Sequence, residues 1–306
     1  IPDRWPYESL LPRGAVPPMA STPSLGYTIF DKAEVWADSA GHLYEEGIQR
    51  RWVPALDVDW TSLQELPSEV EHAMCQICTD LGEQALTKAR VLGRWLPEIS
   101  YGYHESKVFL GQEIFDLDRI FEALRKRSLA NGGGLGVQAG GLFVKAIFDS
   151  PEWVVVNFLT HVLGASFAIT EFAMLEAAAP HAAEKKLFRY VMQDLGRHAR
   201  YGGESMRLLL HKQPHRKGEV TAYIGLGEAQ MAAEIRANKA LREAYIILFG
   251  HKAGSLAKGK AMLDHMRRLQ VESYLRRLDW IGLKNWDTTG LNPALREFIE
   301  PAAALA

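Results

Sequence analysis

Asp116-Leu-Asp-Arg119 and Asp194-Leu-Gly-Arg197 are the two stretches on which the reading of this chain turns. Each lies midway along a long helical pattern, and each pattern is the second member of a hairpin. Residues 101–129 follow 69–95 across Pro97, and residues 182–211 follow 151–178 across Pro180-His181. A four-residue match alone means little; the same match at the same place in successive hairpins marks an internal echo. No alternating run of useful strand length accompanies it, so the expected class is all-α. Two long helical hairpins joined by a long crossover predict a ferritin-like four-helix bundle rather than an up-and-down one.

Outward from that core, residues 1–29 are rich in proline and glycine and read as an extended arm on the surface. The bundle proper is expected over 30–212, opening with a helix over 30–51; Ser68 is the expected cap of the next. Asn131-Gly-Gly-Gly134 breaks the third long helix. The glycine-rich residues 131–141 lack the preceding strand and the Lys-Ser/Thr ending of a phosphate loop, and read as a flexible crossover. Pro151 is expected in the first turn of the helix that follows. Residues 213–306 form a C-terminal helical extension packed on the bundle, with helices near 219–249, 253–280 and 292–300.

The formal net charge of −2 gives no electrostatic reason for a nucleic-acid or anionic-membrane partner. The longest apolar run, 153–163, is interrupted by Asn157, Thr160 and His161 and is not read as a membrane span. Residues Ile1 to Trp5 do not read as part of a signal peptide. Cys75 and Cys78 exclude a disulfide framework and suit a reducing, cytoplasmic setting. Their CxxC spacing falls inside a helix with no second pair, so they read as core residues. The cationic stretch from Arg267 to Arg277 is balanced by Glu272 and Asp264 and reads as a solvated or subunit-facing helix side.

Lys107-Val-Phe-Leu110, Asp116 to Ile120, Arg125-Lys-Arg127 and Asn131 to Gly136 resemble the di-iron carboxylate family of ferritin-like oxygenases and oxidases. That family includes the ribonucleotide reductase small subunit and bacterial monooxygenase hydroxylases. Tyr44-Glu-Glu46, Arg51-Trp52 and Asp57-Val-Asp-Trp60 add to the likeness, which covers residues 40–212. Its members carry Asp-Glu-x-Arg-His in each hairpin plus a lone Glu on the partner helix. A Glu and a His at i and i+3 share a helix face, so two such helices clamp a metal pair.

Set against that motif, the ligand positions are depleted. Leu117 and Leu195 stand where the resemblance implies bridging glutamates, and Ile120 where it implies a histidine; His198 is retained. Equal distances from the hairpin tips place Glu83 near the level of Leu117, and Ala165 near that of Leu195, where a second lone Glu is implied. Glu171 lies almost two turns from that level. Of six implied ligands only Glu83 and His198 remain, and hydrocarbon has no lone pair for iron. No di-iron cofactor is therefore expected. Asp116, Arg119, Asp194 and Arg197, which in the family hold the histidines and link the hairpins, survive; they are expected as buried cross-pairs, Asp116 with Arg197 and Asp194 with Arg119. A set of Glu83, Glu113 and His198 could hold one iron or manganese. Tyr190 and Tyr201 read as packing residues, and the other histidines, His161 among them, as scattered.

The resemblance thus implies a non-catalytic, metal-site-degenerate subunit supporting a di-iron oxygenase or oxidase, in a homo- or hetero-oligomer with a ferritin-like catalytic paralogue. The alternative is an oxidoreductase, such as a monooxygenase, with a rebuilt mononuclear site or a substrate pocket in the emptied bundle centre.

Overall fold

The computed structural model describes residues 1–138, 140–283 and 287–299. Among them there is no strand, only isolated bridges between Arg4 and Asp31 and between Ile29 and Ile99, so the all-α expectation holds. Two short helices, α1 (Lys32–Val35) and α2 (Ala40–Gln49), and a single turn, α3 (Pro54–Asp57), lead into α4 (Ser68–Trp95). A tight connection over 96–103 reverses the chain into α5 (His104–Leu129). After the crossover and α6 (Leu142–Phe148), one continuous helix runs from α7 (Trp153–Asn157) through a π-helical segment (Phe158–Gly164) into α8 (Ala165–Ala178). α9 (Ala182–Lys212) completes the second hairpin; α10 (Lys217–Ala237), α11 (Lys239–Ala253), α12 (Leu256–Ile281) and α13 (Pro293–Arg296) follow.

The helix ends have local causes. Glu69 and Glu71 occupy the first turn of α4 and Arg94 its last, complementing the helix dipole. Ser68 is the first helical residue rather than the cap, which is Pro67. The start of α9 is closed by a capping box in which the His181 N–H donates to Glu184 Oε2 at 3.1 Å. Pro151 lies just outside its helix, which begins at Trp153 after Glu152.

Several expected elements differ. The helix over 30–51 is broken at Trp36–Ser39, because Glu204 of α9 accepts from both the Ser39 N–H (3.1 Å) and its hydroxyl (2.6 Å). The helix over 219–249 is split at Asn238, whose side chain caps α11 by accepting from the Leu241 N–H and donates to Asp80 of α4 at 2.6 Å. The crossover is not a free linker. Gly136 N–H donates to Thr79 Oγ1 at 2.9 Å, and the Gln76 amide bonds both the N–H and the carbonyl of Val137 at 2.8 Å. A Cβ on Gly133 would lie 2.2 Å from Cys75 Sγ, so glycine is what lets the loop come this close.

The polar residues at 157, 160 and 161 do not interrupt the apolar helix either. Trp153–Ala178 is long and apolar enough to cross a membrane, with an 18-residue stretch of mean hydropathy 1.5, but 89% of that stretch is buried in the fold. It is the central helix of the core. α4 packs on α5, and α8 on α9; the two hairpins meet through α5 and α9. α11 and α12 pack on each other, α11 against α4 and α12 against α8. Cys75 and Cys78 are both buried free thiols, and burial pushes Cys75 up to about 11, as expected of core residues.

Candidate functional site

The echoed motif forms a charge clamp where α5 meets α9. Arg197 Nη2 donates to Asp116 Oδ2 at 3.2 Å and Arg119 Nη2 to Asp194 Oδ2 at 2.8 Å, the two cross-pairs read from the sequence. Each arginine also bonds the aspartate three residues before it on its own helix. The Trp52 indole N–H donates to Asp194 Oδ2 at 2.8 Å, and the Arg119 guanidinium lies 4.9 Å from the Trp52 ring centre. All four charged residues are at most 7% exposed. Burial works against the Asp116 carboxylate, but the hydrogen bond and charge of His198, with both arginines, hold its pKa below the ordinary range. Burial, and then the neighbouring Asp116, push Asp194 upward.

At the core of the bundle, Leu117, Ile120, Ala165 and Leu195 are all buried. Beside them lies a cluster of different composition from the one expected. His198 Nε2 is 3.2 Å from Asp116 Oδ2, and its Nδ1 is 3.6 Å from Glu113 Oε1. The same Glu113 oxygen is 2.8 Å from Nε2 of His161, whose Nδ1 is 2.7 Å from Asn157 Oδ1. Burial alone would raise Glu113; the charges of His161 and His198 and the hydrogen bond from His161 reverse this and lower it. Burial likewise disfavours charge on His198, and Glu113 and Asp116 outweigh it, so its pKa is raised.

His161 is the residue that sequence reasoning missed. It projects from the π-helical segment, whose wider turn displaces side chains from α-helical register. Gly202 of α9 makes room for it: a Cβ there would lie 2.0 Å from His161 Cβ. The signal was a polar i, i+4 pair, Asn157 and His161, inside an apolar helix, opposite Gly202.

Glu83 does not join this cluster. It is partly exposed, and burial and Asp80 on its own helix raise its pKa. The α4 residue whose charge reaches Glu113 is Lys88, five residues further on. The expected set of Glu83, Glu113 and His198 is therefore only two-thirds assembled, with His161 and Asp116 beside the pair. Glu171 faces the other way, accepting from the Tyr245 hydroxyl at 2.6 Å. Tyr201 is buried with its hydroxyl on the Val35 carbonyl at 2.7 Å, and Tyr190 stacks on Trp52, both as packing residues.

These residues do not fit the metal pair that the resemblance implies. Four positions that would supply oxygen or nitrogen are hydrocarbon. The donors present face one another, Glu113 to His161 and His198 to Asp116, instead of surrounding a common point. Among the described residues no group of three or more His, Cys, Asp or Glu side chains is arranged to hold a metal ion.

Two hairpins joined by a crossover, meeting at an echoed charge clamp, define a ferritin-like helical bundle. No family model matches the sequence, and no curated protein does. Among solved structures the chain is similar to R2-like ligand-binding oxidases. One with an aerobically reconstituted metal cofactor after photoconversion matches with TM-score 0.58 and 20% identity, over 81% of this chain and 94% of that one. A form with an aerobically reconstituted Mn/Fe cofactor gives 0.57 and 20% over 81% and 94%. A form without metal cofactor gives 0.57 and 19% over 79% and 96%. At this identity the likeness establishes a shared fold.

Proposed function

We propose that the chain is a ferritin-like subunit descended from the di-iron carboxylate family, that it has given up its metal pair, and that it supports a catalytic oxygenase or oxidase partner of the same fold in the cytoplasm. The observation that carries this reading is the 2.8 Å contact between Glu113 and His161, buried beside Leu117 and Ile120. In that place a carboxylate oxygen and an imidazole bond each other, and Leu117, Ile120, Ala165 and Leu195 put hydrocarbon where the implied metal pair would need four of its donors. The site is also closed: Glu113, His161 and His198 are each at most 2% exposed. The retained clamp maintains the frame on which a paralogue would dock.

A second reading draws on composition. Two histidines and one carboxylate, here His161, His198 and Glu113, make up the donor set of mononuclear non-haem iron sites, and several of the similar structures are described with Mn/Fe cofactors. It would make the chain an oxidoreductase with one iron or manganese. Elemental analysis of the purified protein, after incubation with Fe(II) and Mn(II) in air and desalting, separates the two. The subunit reading expects well under 0.1 metal per chain, and co-purification with a second ferritin-like chain bearing intact Glu-x-x-His motifs. About one metal per chain, lost in both His161→Ala and His198→Ala, would overturn it.

A further inference from the structure

Between α4, α6, α8 and the helices α10 to α12 the packing leaves an internal cavity of about 60 Å³. Phe143, Phe167, Met231 and Leu241 give it apolar walls, and Lys88 and Arg267 bring two cations to it. Lys88 is 9% exposed, and among the described residues its ammonium has neither a hydrogen-bond acceptor nor an ion-pair partner within contact distance. A buried ammonium without an acceptor is costly, so the cavity contains an unmet demand for an oxygen.

The acids in and beside the cavity are already engaged. Glu171 accepts from Tyr245, Asp80 from Gln84 (2.7 Å) and Asn238 (2.6 Å), and Glu234 from the Leu142 N–H. Arg267 places Nη1 on Gln270 Oε1 at 2.8 Å and stands 3.9 Å from Glu171. Arg267 and Ile235 also line an open groove of about 650 Å³. Of the groove's other cations, Arg236 pairs with Glu297 and Lys260 with Asp264, while Arg242 and Arg268 have no ionic partner among the described residues. The approach is positive and the interior holds an unpaired donor.

We propose that this cavity binds a small organic carboxylate, which takes the Lys88 ammonium as its ionic partner, lays a short apolar body against Phe143, Phe167 and Leu241, and enters past Arg267 from the basic groove. A charged oxygen acceptor satisfies Lys88 better than a neutral one, and the basic groove favours the approach of an anion. At 10–15 Å³ per water-sized site, the cavity admits roughly four to six heavy atoms. Glu113 does not line this cavity, although its charge acts on Lys88.

Calorimetric titration of the full chain with sodium butyrate, butyramide and butylamine tests this. Butyrate is expected to bind once per chain and about tenfold or more tighter than either neutral or cationic analogue. Lys88→Met, with its fold checked by circular dichroism, should weaken butyrate about tenfold or more, and Glu83→Gln should leave it unchanged. Equal affinity for butyrate and butyramide, preference for butylamine, or no binding up to about 20 mM would overturn the proposal, as would a folded Lys88→Met that binds butyrate undiminished. If Lys88→Met does not fold, the wild-type series decides alone, because the amide matches the carboxylate in shape and lacks its charge.

Discussion

Two buried polar regions lie within reach of the same residue, Lys88, and they are built on opposite terms. In the bundle centre, charge is matched: Asp116 and Asp194 face Arg119 and Arg197, and Glu113 faces His161 and His198. Not every atom there has a partner, since Nε and Nη1 of both arginines and Oε2 of Glu113 are unbonded. On the flank toward α10–α12 the acids are taken up by neutral donors and, for Glu171, by Arg267 at 3.9 Å, and among the described residues the Lys88 ammonium has no ion-pair partner beside the cavity. Where the resemblance implies metal, side chains now neutralise one another; where nothing implied a site, one donor is left open. The first arrangement suits a closed structural core, the second a place for a ligand.

The largest effect should come from unbalancing the centre. Asp116→Ala removes the carboxylate shared by Arg119, Arg197 and His198, leaving both arginines on Asp194 alone, and should cost about 3–5 kcal/mol in urea unfolding, as for other buried pairs that lose one member. A loss below about 1 kcal/mol would mean that the clamp adds little to the bundle. Gly202→Ala tests the same region sterically. Its methyl would meet His161, so a loss of about 1–3 kcal/mol is expected, together with a shifted His161 ring resonance.

The pH dependence sharpens the contrast. The His198 pKa is raised above its ordinary 6.5, so the stability it contributes is complete below that value and is lost as pH rises through the higher, folded-state value. The deficit of His198→Gln relative to wild type should therefore be widest near pH 6 and narrow on the alkaline side. A deficit that grows with pH would show that the ring is held neutral. Glu113 and Asp116, both lowered, act in the opposite sense: their contribution is present above the ordinary carboxylate range and is lost as pH falls through the lower folded-state values.

On the flank the sign should reverse. Burial lowers the Lys88 pKa against the pull of Glu171 and Glu113. Its protonation therefore disfavours folding, and the penalty fades as pH rises through the lowered value toward 10.5. Without ligand, Lys88→Met should be neutral or slightly more stable than wild type near pH 7, and this advantage should shrink in alkali. A destabilisation as large as that of Asp116→Ala would place an unseen counter-charge beside the amine.

Hairpins, crossover and cross-pairs were legible in the sequence because they depend on helical spacing and on motif residues that repeat. The breaks at Trp36–Ser39 and Asn238 were not, because Glu204 and Asp80, which cause them, are remote in sequence. His161 was hidden by the π-helical segment, since counting along an ideal helix assigns the wrong face once a turn is widened. Lys88 and Arg267 were hidden differently. Long cationic side chains usually turn to solvent, and only the packing of α11 and α12 on α4 and α8 buries these two.

The smallest effect is the most discriminating for the position of the centre. Hairpin geometry put Glu83 level with Leu117, yet its side chain is partly exposed, with Asp80 as the charge acting on it. Removing it breaks no buried pair, so Glu83→Ala should change stability by no more than about 0.5 kcal/mol in either direction, and should leave metal content and butyrate affinity where wild type has them. A larger loss, or a metal that disappears with Glu83, would mean that α4 turns this residue inward in solution. The centre would then take in α4 together with α5 and α9, as the set of Glu83, Glu113 and His198 supposes, and not only α5, α9 and the π-helical turn that carries His161.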